Sequence, residues 1–149
     1  MAFFKDENFW LYVPLILWIG GIFYLSSSKG SILRTSPYFV PVLNFLFPRA
    51  DAETLENYHF VVRKICHLLG YAILALLASV VFYNSSLLSL PRFWWIYAFV
   101  IVLVVALADE TIQSFYPNRV GSLSDVALDC VGGLTMILLF WIFAGGLFR

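Results

Sequence analysis

Four stretches of this chain are long and apolar enough to cross a lipid bilayer, which leaves few folds open to it. A bilayer core takes about 20 mostly apolar residues per helix, with a range of about 17 to 25. Phe9 to Leu25 is uncharged and rich in Trp, Tyr, Ile and Leu, and it runs out at Ser26-Ser27-Ser28-Lys29-Gly30. Ile65 to Phe82 is broken only by His67 and ends at Tyr83-Asn84-Ser85-Ser86. Phe93 to Ala108 follows Pro91-Arg92 and opens on Phe93, Trp94, Trp95 and Tyr97, an aromatic cluster of the kind that sits at a membrane interface. Val126 to Phe148 carries Asp129 in its first turns. Composition agrees: 62% of the 149 residues are hydrophobic and 12% charged, against about a quarter charged in soluble domains. The predicted fold is all-α, a polytopic membrane bundle of four transmembrane helices. Residues 1–149 form one domain, and the length leaves no room for a separate soluble one.

The first loop, Ser26 to Lys64, is long and only partly polar. Its segment Tyr38 to Pro48 is too short and too proline-bounded to span, and is expected to lie in the interface or re-enter the bundle. Asp51 suits an N-cap, with Glu53 favourable in the first turn, and a helix starting there is expected to continue through Tyr58, Arg63 and His67 into the second span. Gly20-Gly21 suggests a close helix approach in the first span. Cys66 and Cys130 have no CxxC spacing and read as small buried apolar residues. At the N-terminus, Asp6 and Glu7 dilute Lys5 and no cleavage site follows, so the first run is expected to remain as a helix. A formal net charge of zero offers nothing to nucleic acid or to a polybasic anchor.

Between the third and fourth spans, Ala108 to Gly133 holds four of the nine carboxylates: Asp109, Glu110, Asp125 and Asp129, together with Gln113 and Arg119. Charge at or inside a bilayer boundary costs kilocalories per group, so such residues are rare there and generally functional. Four spans place the end of the first, the start of the second, the end of the third and the start of the fourth on one side. Those ends carry Ser26 to Ser28, then Arg63, Lys64 and His67, then Asp109, Glu110 and Gln113, then Asp125 and Asp129. The opposite side has Lys5, Asp6, Glu7, Arg92 and Arg149 and no comparable cluster. At 100° per residue, Lys64, His67 and Tyr71 fall within about 60° of one another. Asp109, Glu110 and Gln113 share a broad face, and Asp125, Asp129 and Gly132 form a third stripe that Gly132 opens to another backbone. Asp129, roughly 6 to 9 Å inside the boundary, needs a partner among His67, Lys64 and Arg119.

The pattern Arg63-Lys64-x-x-His67-x-x-x-Tyr71-x-x-Leu74, then Asp109-Glu110-x-x-Gln113-x-Phe115-x-Pro117-x-Arg119, then Ser124-Asp125-x-x-x-Asp129-x-x-Gly132, resembles the VanZ-like family, with the Ser-rich end of the first span matching as well. This chain has Gly70 where many members carry an acid before the motif tyrosine. The resemblance covers essentially the whole chain. It implies a small bacterial protein of the inner (cytoplasmic) membrane, multi-pass, whose namesake is associated with resistance to the glycopeptide teicoplanin.

Each polar group also has a plainer role. His67 can be a hydrogen-bonded packing residue, Arg63 and Lys64 can snorkel to the boundary, Asp109 and Glu110 can be interfacial charges, and Arg119 can brace the third loop against Asp125 or Asp109. The leading expectation is a binding site made of Arg63, Lys64, His67, Tyr71, Asp109, Glu110, Gln113, Arg119, Asp125 and Asp129. Its ligand would be an envelope lipid headgroup or a cell-wall-precursor-like molecule, with Arg119, Lys64 and Arg63 on its anions. The alternative is a membrane-embedded acid–base or metal-assisted enzyme acting on a lipid-linked substrate, although no HExxH, GxSxG or Cys–His arrangement is present. No catalytic residue is assigned, and no cofactor or resident metal is expected. Ion-coupled transport through Asp129 would require a homo-oligomer. Lys and Arg counts favour the cluster side as cytoplasmic, six against three, but become equal once Arg63, Lys64 and Arg119 are set aside. An outer-envelope ligand favours the opposite orientation.

Overall fold

A computed structural model describes residues 8–27, 32–87, 89–116 and 121–147. Its described elements are helical: α1 (Tyr12–Ser26, led in by a 3-10 turn, Phe9–Leu11), α2 (Ile32–Leu46), α3 (Ala52–Tyr83), α4 (Trp94–Ser114) and α5 (Leu123–Leu147). Four helical segments are long and apolar enough to cross a membrane: Phe9–Ser26, Ala52–Tyr83, Trp94–Ser114 and Leu123–Ala144. The chain is a multi-pass membrane protein.

Helix α3 organises the bundle. Asp51 caps it, its carboxylate accepting from the Thr54 amide at 2.9 Å, and 32 residues give a rod of about 48 Å. That exceeds a hydrocarbon core of about 30 Å, so the spanning part and the membrane-edge part carrying Tyr58 and Arg63 are one continuous helix. It packs against α1, α2, α4 and α5. The buried positions of α3 and α4 include the small residues Ala75, Ala78, Ala98 and Ala106, a residue type that lets backbones approach where lipid offers no hydrophobic drive to associate. Gly132 and Gly133 do the same for α5. A Cβ on Gly132 would overlap the Leu68 carbonyl of α3, and one on Gly133 would stand 2.7 Å from Val102 Cγ1 of α4.

The segment from Tyr38 to Pro48 lies mostly within α2, which begins earlier, at Ile32, takes Pro37 and Pro41 into its interior and is not among the four spans. Each proline removes one amide donor, and Pro41 removes the bond that would end on the Pro37 carbonyl, so two weak points share one face. Helix α2 packs, among the described residues, against α3 alone. Two expectations change: Gly20-Gly21 is not a close helix approach, since among the described residues a Cβ on either would meet nothing within 4 Å. Cys66 is exposed rather than buried, while Cys130 is half-buried, and both are free thiols.

Candidate functional site

The third span does not stop at Ala108. Helix α4 continues to Ser114 and carries Asp109, Glu110 and Gln113 into the bundle as buried side chains. Helix α5 starts at Leu123, with Asp125 in its first turn and Asp129 one turn deeper. Asp109 and Asp129 are 0% exposed and Glu110 6%. His67 of α3 joins them: one donor atom from each of His67, Asp109, Glu110 and Asp129 lies within 4.8 Å of the others.

Asp109, Glu110 and His67 are contacted from outside the group, and Asp129 meets only His67. The Tyr71 hydroxyl donates to Asp109 Oδ2 at 3.1 Å, and the ring of Tyr71 stacks near that of His67, centroids 6.5 Å apart. Glu110 Oε2 accepts from the Ser122 amide at 2.8 Å, a donor at the N-terminal end of α5, where the helix dipole favours negative charge. Gly121 permits that bond, because a Cβ there would run into the Glu110 carbonyl. His67 Nδ1 lies 3.5 Å from Asp129 Oδ1. The remaining oxygens, Asp109 Oδ1, Glu110 Oε1 and both of Asp129, are buried without a hydrogen-bond partner, as is Gln113 Nε2. Buried polar atoms are ordinarily satisfied, so this density of unpaired acceptors sets the group apart from ordinary packing.

The two cations of α3 have separate duties. Lys64 pairs with Asp125 and lies over the Phe60 ring. Arg63 Nη2 donates to Gln113 Oε1 at 3.5 Å. Asp129 therefore has His67 as its partner and not Lys64. Arg119 lies outside the described residues, as do Pro117 and Ser28 of the sequence pattern.

Beside the cluster is a cavity of about 420 Å³ between α1, α2, α3 and the Asp109 level of α4. Trp18, Ile22, Leu25, Leu69 and Ile73 give it apolar walls, and Arg63, His67, Tyr71 and Asp109 stand on its polar side. Trp18 is fixed by its indole N–H donating to the Gly70 carbonyl at 2.9 Å. The volume is in the range of small-molecule sites, about 300 to 1,000 Å³. His59, which also lines the cavity, was not singled out by the sequence pattern. It is buried, with Thr35 Oγ1 3.2 Å from Nε2, Ser36 Oγ 3.3 Å from Nδ1, and Phe39 stacked on it at 5.1 Å. The signal was present in the four-residue spacing of His59, Arg63 and His67, which puts all three on one stripe of α3.

A helical bundle that seats three acids and a histidine among its spans, next to an apolar-walled cavity, defines a class of polytopic membrane protein with a buried acid–histidine cluster. The VanZ/LLP1 family model matches residues 9–144, and the chain belongs to that family. No curated protein and no solved structure matches it.

Proposed function

We propose that this protein binds an anionic envelope lipid, or a lipid-linked cell-wall precursor carrying the same phosphate chemistry, in the bacterial cytoplasmic membrane. The observation that carries the reading is the cavity itself, which sets the Arg63 guanidinium and His67 beside apolar walls from α1 and α3. A chain packs on Trp18, Ile22, Leu69 and Ile73, and a phosphate meets Arg63, whose planar fork suits that anion better than a lysine would.

Cys66 lines the cavity and is exposed, so it reports occupancy directly. In a Cys130→Ala background, phosphatidylglycerol in the detergent micelle should slow maleimide labelling of Cys66, and Arg63→Gln should abolish that protection. Equal labelling with and without the lipid, or equal protection in both proteins, refutes the reading. The family's teicoplanin association extends to this chain only if a sensitive bacterium is protected by the wild type and by neither Glu110→Gln nor Asp129→Asn at matched membrane levels. An enzymatic second reading is favoured by Asp109 standing both in the cavity wall and against Tyr71. Chemical change of the captured lipid by wild type and not by Asp109→Asn separates it from simple binding.

A further inference from the structure

We propose that His67, Asp109, Glu110 and Asp129 form a divalent-cation site inside the membrane-spanning bundle. Neither the lipid reading nor any local sequence pattern is needed for it, since the four ligands come from three helices.

The first support is distance. One donor from each residue lies within 4.8 Å of the rest. A cation at about 2.1 Å from its ligands holds opposite donors about 4.2 Å apart, and one at about 2.4 Å holds them about 4.8 Å apart. The group is therefore within reach of a single central ion. The second support is unsatisfied chemistry. Asp109 Oδ1, Glu110 Oε1 and both oxygens of Asp129 lack hydrogen-bond partners although the three side chains are at least nine-tenths buried. For Asp109 and Glu110 the other oxygen is anchored, by the Tyr71 hydroxyl and the Ser122 amide. Outer partners of this kind orient metal ligands and are characteristic of metal centres.

The third support is charge. Three carboxylates gathered in a bundle interior need a counter-charge. Among the described residues no Lys or Arg is within ion-pair distance of any of them, because Lys64 is paired with Asp125 and Arg63 is bonded to Gln113. His67 alone cannot balance three acids. Three carboxylates with one imidazole make a mostly hard donor set, which suits Mn²⁺ or Mg²⁺, with the nitrogen extending its reach to Zn²⁺. His67 and Asp109 also line the cavity, so the ion would lie along its polar side.

The test uses the full chain in detergent, stripped with a chelator and titrated with Mn²⁺ alone, free ion being followed by electron paramagnetic resonance. Wild type should take up one Mn²⁺ per chain in a saturable step that Zn²⁺ competes away. Asp129→Asn and Asp109→Asn, which keep side-chain shape, should each weaken binding by about tenfold or more. His67→Gln should weaken it as well and remove the nitrogen coupling from the Mn²⁺ spectrum. Glu53→Gln, in the exposed first turn of α3, should change nothing. Absence of a saturable site in the wild type overturns the proposal and leaves protons as the neutralising charge. Wild-type binding that survives in all three cluster variants overturns it too. The wild-type result and the half-buried His67 variant stand even if an aspartate variant fails to fold.

Discussion

Gly132→Ala should damage the site without touching a single polar group. The Cβ it adds would meet the backbone of α3 rather than a movable side chain: the Leu68 carbonyl oxygen first, then Leu68 C at 3.1 Å and Cα at 3.2 Å. Non-bonded carbons rest about 3.5 to 4.0 Å apart and the carbonyl oxygen is closer still, so α5 must move away from α3 by more than about half an ångström at this level. Overpacking of this kind costs about 1 to 3 kcal/mol, which for a chain of this size corresponds to a midpoint lower by roughly 3 to 10 °C. The displacement also falls on the cluster. Leu68 follows His67, and Gly132 lies one turn beyond Asp129, so opening the contact lengthens a His67–Asp129 separation already at 3.5 Å. Thermal unfolding in detergent, followed by far-ultraviolet circular dichroism, gives the first number, and Mn²⁺ affinity of the same variant gives the second. Gly70→Ala is the control on α3, because a Cβ there meets nothing within 4 Å and alanine gains up to about 1 kcal/mol of helix propensity. The reasoning fails if Gly132→Ala melts with the wild type, or if Gly70→Ala falls as far as Gly132→Ala.

Two further outcomes follow from the same geometry. Lys64 and Asp125 join α3 to α5 with side chains 29% and 24% exposed, so the cycle Lys64→Ala, Asp125→Ala and the double variant should show a coupling of up to about 1 kcal/mol that shrinks in high salt; strictly additive losses would mean that the pair holds nothing together. At the start of α3, hydrogen bonds from Thr54, through its side chain and its amide, hold the Asp51 carboxyl below its usual value of 3.8. A depressed folded value means that the cap is complete above 3.8 and is lost as pH falls through the lower folded value. Hydrogen-exchange protection of the first turn of α3 should therefore stay level from neutral pH down to that region and then drop, a dependence that Asp51→Asn removes. A drop well above 3.8 would refute this.

Much of the site was legible because it obeys helical period. Lys64, His67 and Tyr71 share a stripe of α3, Asp109 and Gln113 share a face of α4, and Asp125, Asp129 and Gly132 align on α5, all from spacing that any helix must respect. The Asp51 cap and the unbroken run from Tyr58 into the span were readable for the same reason, since capping and propensity act within a few residues. Long-range partners were not. Lys64 and Arg63 are adjacent in sequence and Lys64 was a candidate partner for Asp129, yet Lys64 turns to Asp125 and Arg63 to Gln113. Gly20-Gly21 and Gly132-Gly133 are the same dipeptide, and only the second lies against neighbouring helices. His59 escaped notice because its value comes from α2, whose helix swallows two prolines that on local grounds argue against one.

The amino-acid sequence by itself determined that this chain lives in a membrane, that it crosses four times, and that its polar residues gather toward one side, because hydropathy and helical period are properties of single segments in a given solvent. The tertiary structure alone decided which of those residues meet. The 4.8 Å grouping of His67, Asp109, Glu110 and Asp129 depends on the axial offset and rotation of α3, α4 and α5. Those are set by backbone contact at Gly132, side-chain contact at Gly133 and the small buried residues of α3 and α4, which no single segment encodes.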